Sequence, residues 1–130
     1  TFFHEIGHAL VFTLDIPSTG REEDAVDQLA TLVLLQGDEE GAAMAMDTAV
    51  SFLLQSEERG FDELAFWDSH SLDEQRFFNI ACLVYGKDPE AHDDLVDDEL
   101  LPEDRAAGCP EEYELAEKAW TKLLAKHVLP

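Results

Sequence analysis

The chain has 130 residues, of which 30 are Asp or Glu and 8 are Lys or Arg, so its formal net charge is −22. This length suits one domain, residues 1–130, with a real hydrophobic core. The charge excludes nucleic-acid binding through a basic patch and argues against docking on an anionic membrane, and no apolar run is long enough to span a bilayer.

The first segment carries an HExxH motif, His4-Glu5-Ile6-Gly7-His8. Residues four apart lie on one face of a helix, so His4 and His8 would direct two imidazoles to one point. This spacing suits a metal ion, and zinc binds His nitrogen while keeping an open position where it is catalytic. Glu5 would reach a water on that metal and act as general base. Apolar side chains would bury the rest of the helix: Phe2, Phe3, Ile6, Leu10 and Phe12.

A second helix is predicted over residues 21–36, after a turn marked by Pro17 and Gly20. Thr19 and Glu22 are three residues apart, which is a capping-box pattern. The connection is short, and short connections favour antiparallel neighbouring helices. We therefore expect the second helix to pack against the first.

The second helix can supply the third protein ligand that such a metal requires. Glu23 is the best candidate, because it follows the expected cap at first-turn distance and has an acid, Asp27, four residues later. Asp27 would accept a hydrogen bond from the far nitrogen of a ligand histidine and fix its tautomer. Glu22 and Asp24 are the alternative third ligands.

HExxH followed by ExxxD on a second helix resembles the zinc metallopeptidases called gluzincins. The resemblance rests on His4, Glu5, His8, Glu23 and Asp27. It implies a Zn²⁺ cofactor, Glu5 as the catalytic base and a peptide or protein substrate.

Longer patterns resemble an uncharacterised bacterial family described as putative metallopeptidases, over nearly the whole chain. They are REEDAVDQLA, FWDSHSLDEQRFFNIACLVYGKDP and RAAGCPEEY. In metallopeptidases of this sort a helix and an edge strand precede HExxH, and the edge strand pairs with extended substrate. We therefore expect an N-terminally truncated domain, which would become α+β when an edge sheet upstream of Thr1 is included.

Further along the chain, helices are predicted over residues 39–58, over residues 71–85 and after Pro110. Ser71 is followed three residues later by an acid, which is a second capping-box pattern. Gly86 is the expected C-cap of the helix that begins there.

Two stretches lack a regular period. Residues 61–71 are expected to form a structured loop, and the acidic residues 88–101 a loop or short helix with a solvated face. No stretch alternates convincingly as a strand. The chain is therefore predicted to be all-α, with five or six helices, and the resemblance implies that they form a zincin-like bundle.

A zinc peptidase must stabilise the oxyanion of its tetrahedral intermediate. His70, in an irregular polar loop, is the first candidate for this role, and Arg76 is the second. In the alternative interpretation His70 caps a helix or bonds to the backbone, and Arg76 pairs with Asp24, Asp27 or another acid of the site.

Two cysteines, Cys82 and Cys109, are present, and neither belongs to a CxxC motif. A disulfide between them would tie the end of one helix to the start of the last, and it would place the protein in an oxidising compartment. Together with the family resemblance, this predicts a periplasmic or secreted protein. Two buried free thiols are the alternative.

These patterns together predict a zinc metallopeptidase in which His4, His8 and Glu23 bind the metal. Glu5 acts as base and His70 polarises the scissile carbonyl. A non-catalytic, metal-stabilised helical domain for binding or structure is the alternative function, and a histidine pair that only packs is a third possibility. The acidity is best explained by a solvated surface, with a cleft for cationic peptides as the alternative.

Overall fold

The computed structural model describes residues 2–128, and within them the chain is helical, without strands. The predicted all-α class is confirmed, whereas the edge sheet expected upstream of Thr1 lies outside the described residues. Within the described part of the chain, no helix is long and apolar enough to cross a membrane. The helices are α1 (Phe2–Thr13), α2 (Glu22–Leu35), α3 (Glu39–Glu57), α4 (Asp73–Lys87), α5 (Asp94–Asp97), α6 (Glu103–Ala106) and α7 (Cys109–Leu124), with 3₁₀ turns at Phe61–Glu63 and Ala125–His127.

Helices α2 and α4 form the centre of the bundle. Helix α2 packs against α1, α3 and α4, and α4 also packs against α3 and α7. Their apolar residues recur at three- and four-residue steps, which gives each helix a continuous face to bury. The main core contains Leu29, Leu32 and Leu35 of α2, Ala45 and Ala49 of α3, Phe77, Ile80 and Val84 of α4, and Tyr113 and Trp120 of α7.

A smaller core surrounds a disulfide between α4 and α7. Cys82 and Cys109 are joined by an S–S bond of 2.06 Å, and both side chains are fully buried. Leu95, Leu101 and Ala106 pack around them. The acidic stretch after α4 is therefore held to the bundle by its few apolar residues, while its acids face solvent.

The prediction that Gly86 ends its helix is wrong, because α4 continues through Gly86 to Lys87. A Cβ at this position would collide with the carbonyl oxygen of Cys109. The missing side chain thus allows α4 and α7 to approach closely, which is a tertiary requirement that sequence spacing does not reveal.

The predicted capping boxes are wrong as well. Helix α2 is preceded by Arg21 at its N-cap, without a side-chain cap. At α4 the N-cap is Leu72, whose N–H donates to the side chain of Gln75 at 3.1 Å. The hydroxyl of Ser71 donates instead to Asp24 Oδ1 at 2.6 Å, so a contact between α2 and the segment before α4 replaces the local cap.

Replacing both Cys82 and Cys109 by Ala should lower the free energy of unfolding by about 3–4 kcal/mol. The bond closes a loop with a sequence separation of 27, and a cross-link of that length removes entropy from the unfolded chain. Denaturant unfolding of the variant, compared with oxidised and reduced wild type, measures the effect. Equal stability of the oxidised wild type and the variant would contradict it.

Candidate metal centre

The candidate metal centre depends on a close contact between α1 and α2. Gly7 is buried in α1, and a Cβ placed there would lie 2.9 Å from Val26 Cβ of α2. Because glycine occupies this position, the two helix backbones approach closely. As a result, the imidazoles of α1 lie opposite the acids in the first turns of α2.

Three potential donor atoms form a nearly equilateral triangle. His4 Nε2 lies 3.1 Å from His8 Nε2 and 3.1 Å from Glu23 Oε2, and His8 Nε2 lies 3.2 Å from the same carboxylate oxygen. The side chains come from adjacent turns of α1 and from the first turn of α2. The structure thus brings together the three residues that are predicted from the sequence as metal ligands.

The far nitrogen of each imidazole is bound to a different carboxylate. His4 Nδ1 lies 2.6 Å from Asp27 Oδ1, and His8 Nδ1 lies 2.6 Å from Glu22 Oε1. A carboxylate only accepts hydrogen bonds, so each Nδ1 carries a proton and donates it. The lone pair of each Nε2 is then available to the triangle.

Lone pairs at these distances repel one another unless a cation, either a proton or a metal ion, lies among them. The surrounding acids favour such a charge. The hydrogen bond to Glu22 raises the pKa of His8, and Glu23 raises it further, although burial opposes the shift. The same negative field favours a divalent cation.

The triangle fits zinc. Ligands at about 2.0–2.1 Å from a tetrahedral zinc lie about 3.3–3.4 Å from one another. The edges of 3.1–3.2 Å are slightly shorter than this value. The donor set of two neutral imidazoles and one carboxylate is also one that zinc accepts in catalytic sites.

Asp27 is itself held by Arg76 of α4. Arg76 Nε donates to Asp27 Oδ2 at 2.8 Å, and its Nη2 donates to Oδ1 at 2.9 Å, while the guanidinium lies 3.9 Å from the ring centroid of Phe52. This geometry matches the interpretation in which Arg76 pairs with an acid of the site. Arg76 thereby orients His4 through Asp27.

His70 reaches the same cluster from the loop before α4. Its Nε2 lies 2.7 Å from Glu23 Oε2, and its Nδ1 lies 3.2 Å from Asp68 Oδ1. The rings of His70 and His4 are stacked, with centroids 5.8 Å apart. The donor atoms of His4, Glu23 and His70 all lie within 4.8 Å of one another, so a second set of potential ligands shares two members with the triangle.

Glu5 is exposed and lines a cavity of about 250 Å³ together with His4, His70 and Arg76. A substrate bound in this cavity would therefore lie beside the triangle and beside the proposed base. The other walls are mostly apolar and come from four helices: Phe3, Ala30, Leu34, Ala45, Phe52 and Ile80.

Glu22 and Asp24, the alternative third ligands, have other partners. Glu22 accepts from His8, as described above, and Asp24 bonds to Ser71 and to Arg21. Sequence reasoning missed Glu22 as the acceptor for His8, although the rule that selects Asp27 for His4 applies equally to the second histidine.

Asp68 is a second residue whose role as an acceptor sequence reasoning missed. Its Oδ1 accepts the backbone N–H of His70 at 2.9 Å in addition to the ring contact. An aspartate two residues before a histidine in a turn is a signal for this kind of local bond.

A sequence family described as "Putative metallopeptidase" matches residues 1–124. The chain belongs to this family. The description of this family implies a metal and a peptide or protein substrate. No curated protein and no solved structure matches the chain.

Replacing Gly7 by Ala should weaken metal binding and lower stability by about 1–3 kcal/mol, the usual effect of overpacking. The added methyl group would push α1 away from Val26 and widen the triangle. Competition with a chromogenic chelator measures the affinity, and denaturant unfolding measures the stability.

Gly20→Ala is the matched control, because a Cβ at Gly20 meets nothing within 4 Å. Equal zinc affinity of Gly7→Ala and Gly20→Ala would show that the helix contact does not set the ligand spacing.

Proposed function

We propose that the chain carries the metal centre of a zinc-dependent metallopeptidase of gluzincin type. His4, His8 and Glu23 are the proposed ligands. The observation that supports this most directly is the triangle of His4 Nε2, His8 Nε2 and Glu23 Oε2, with edges of 3.1–3.2 Å and both Nδ1 atoms bound to carboxylates.

In the proposed reaction, water attacks the scissile carbonyl carbon and the amide C–N bond breaks. A zinc ion in the triangle would polarise that carbonyl and acidify the attacking water. Glu5 accepts a proton from the water and passes it to the leaving amine. His70 donates a hydrogen bond to the developing oxyanion.

Asp27 and Arg76 have a positioning role in this proposal. Their bidentate pair is mostly buried, with 16% and 14% of the side chains exposed, so water competes little for it. Asp27 therefore holds His4 in the tautomer whose Nε2 lone pair faces the triangle.

We also propose that the protein is periplasmic or secreted and that its substrate is a peptide or protein. The Cys82–Cys109 disulfide supports an oxidising compartment. The surplus of acids would favour cationic peptides if it extends to the cleft, although a solvated acidic surface explains the same composition.

A structural metal domain is the second candidate function, and His70 is the observation that favours it. With His70 as a fourth donor close to Glu23, the chain offers as many protein ligands as a closed structural zinc site uses. Zinc bound at one ion per chain, with no cleavage of any member of a peptide library, would favour this candidate.

Glu5→Gln should retain zinc and reduce peptide cleavage by at least about a hundredfold, because general-base catalysis typically contributes that much or more. Zinc content and the turnover of a peptide library are measured on the same preparations. The control is Glu114→Gln, which makes the same change at an exposed position of α7. Turnover by Glu5→Gln at the rate of the control would eliminate Glu5 as the base.

His4→Ala and His8→Ala should each lower zinc affinity strongly, because each removes one of the three proposed ligands. His127→Ala, at an exposed position in the 3₁₀ turn Ala125–His127, should leave it unchanged. Elemental analysis after dialysis gives the zinc content. Full zinc content in His8→Ala would remove His8 from the ligand set.

A further inference from the structure

We infer that His70 is a fourth protein ligand of the metal, carried by a loop that opens and closes the metal's free coordination position. The His70 loop is defined here as residues 60–72. This inference rests on the proposed function, because it assigns a regulatory state to the same centre.

The contacts of His70 place it at the ligands themselves. His70 Nε2 lies 2.7 Å from Glu23 Oε2, which is the oxygen that also faces both histidines of α1. Its donor atom lies within 4.8 Å of that of His4. A metal at the triangle would therefore have the imidazole of His70 beside it, and His70 also lines the cavity that Glu5 and His4 line.

The base of the His70 loop is anchored. Arg59 Nη1, just before the loop, lies 3.5 Å from Asp73 Oδ2, just after it. At the C-terminal end, Ser71 bonds to Asp24 at 2.6 Å and accepts from Arg21 at 3.1 Å. These contacts hold the two ends near each other, as in compact surface loops.

The remainder of the loop is weakly held. Phe61, Phe66 and Trp67 are 81%, 62% and 86% exposed. Their apolar surface therefore contributes little to keeping the loop docked. Segments with few buried apolar contacts open at a low cost in free energy, so the tip can move away from the centre while the anchored base stays in place.

Asp68 sets the direction of the His70 side chain. Its Oδ1 accepts from the backbone N–H of His70 at 2.9 Å and lies 3.2 Å from Nδ1. When Nδ1 donates to this carboxylate, the Nε2 lone pair is directed to the cluster. The arrangement repeats the one that orients His4 and His8.

Two states follow from these contacts. With the loop docked, His4, His8, Glu23 and His70 surround the cation, and no position remains for water or substrate, as in closed structural sites. A displacement that only releases Nε2 from the cation opens the position, and Nε2 can then take up a proton and donate it to an oxyanion in the cavity that His70 lines. The metal centre is thus in a closed, structural form when the loop is docked and in an open, catalytic form when the loop is displaced.

The test uses the Co²⁺-substituted protein, whose metal spectrum reports coordination without any turnover. X-ray absorption should count three imidazoles in wild type and two in His70→Ala. Acetohydroxamate, a small chelating anion that needs an open position, should bind His70→Ala about tenfold more tightly. That factor corresponds to a wild-type loop docked in about nine molecules of ten.

His127→Ala is the matched control and should behave as wild type in both measurements. Asp68→Asn keeps His70 but weakens its orientation, so it should bind acetohydroxamate with an affinity between those of wild type and His70→Ala. Because Asp68 and His70 are both partly exposed, neither variant removes a core residue.

Equal imidazole counts and equal acetohydroxamate affinities in wild type and His70→Ala would overturn the inference and leave the proposed function standing. Loss of Co²⁺ from His70→Ala would also overturn it, because His70 would then be a permanent ligand and not an exchangeable one. Failure of wild type to bind Co²⁺ would overturn the inference and the proposed function together.

Discussion

The carboxylate of Asp27 joins three helices, and the arrangement of the candidate centre depends on it. Asp27 Oδ1 accepts from His4 of α1 and from Arg76 of α4, and Oδ2 accepts from Arg76 as well. A buried carboxylate is stable only when it is paired and hydrogen-bonded. Here Arg76 and His4 together satisfy that requirement, the bond to His4 fixes its tautomer, and the two contacts tie α4 and α1 to α2.

Two of the interactions between α1 and α2 have different roles. Contact between Gly7 and Val26 sets the separation of the helices, and the bond from His4 to Asp27 sets their register. Helix α1 packs mainly on α2, so its position relies on this one interface. A ligand set that spans two helices is precise only when separation and register are both fixed.

The charges around the triangle favour a cation at this point. Glu22, Glu23 and Asp27 are directed at two imidazoles, and Arg76 neutralises one of these acids. The chain as a whole has a net charge of −22. The rest of the protein therefore does not balance the negative charge of this cluster. A divalent cation in the triangle would relieve the repulsion among the carboxylates and the imidazole lone pairs.

Much of the fold and the centre follows from local sequence spacing. HExxH and ExxxD place residues four apart on one helical face, and the short connection predicts that the two helices are neighbours. The all-α class follows from the helical periods and the lack of strand alternation.

Features that depend on tertiary contacts could not be predicted in the same way. Gly86 matches the pattern of a helix end, but its missing side chain allows α7 to pack closely against α4. Ser71 matches the pattern of a helix cap, but its hydroxyl donates to Asp24. His70 lies far along the chain from HExxH, so its distance to Glu23 depends on how the loop crosses the bundle.

The most direct test of the central claim is the anomalous scattering of a zinc-loaded crystal, recorded on both sides of the zinc absorption edge. We expect one strong peak about 2.0–2.2 Å from His4 Nε2, His8 Nε2 and a carboxylate oxygen of Glu23. A zinc peak confined to the acidic stretch that includes Asp93 and Asp97, or no peak between the two imidazoles of α1, would contradict it.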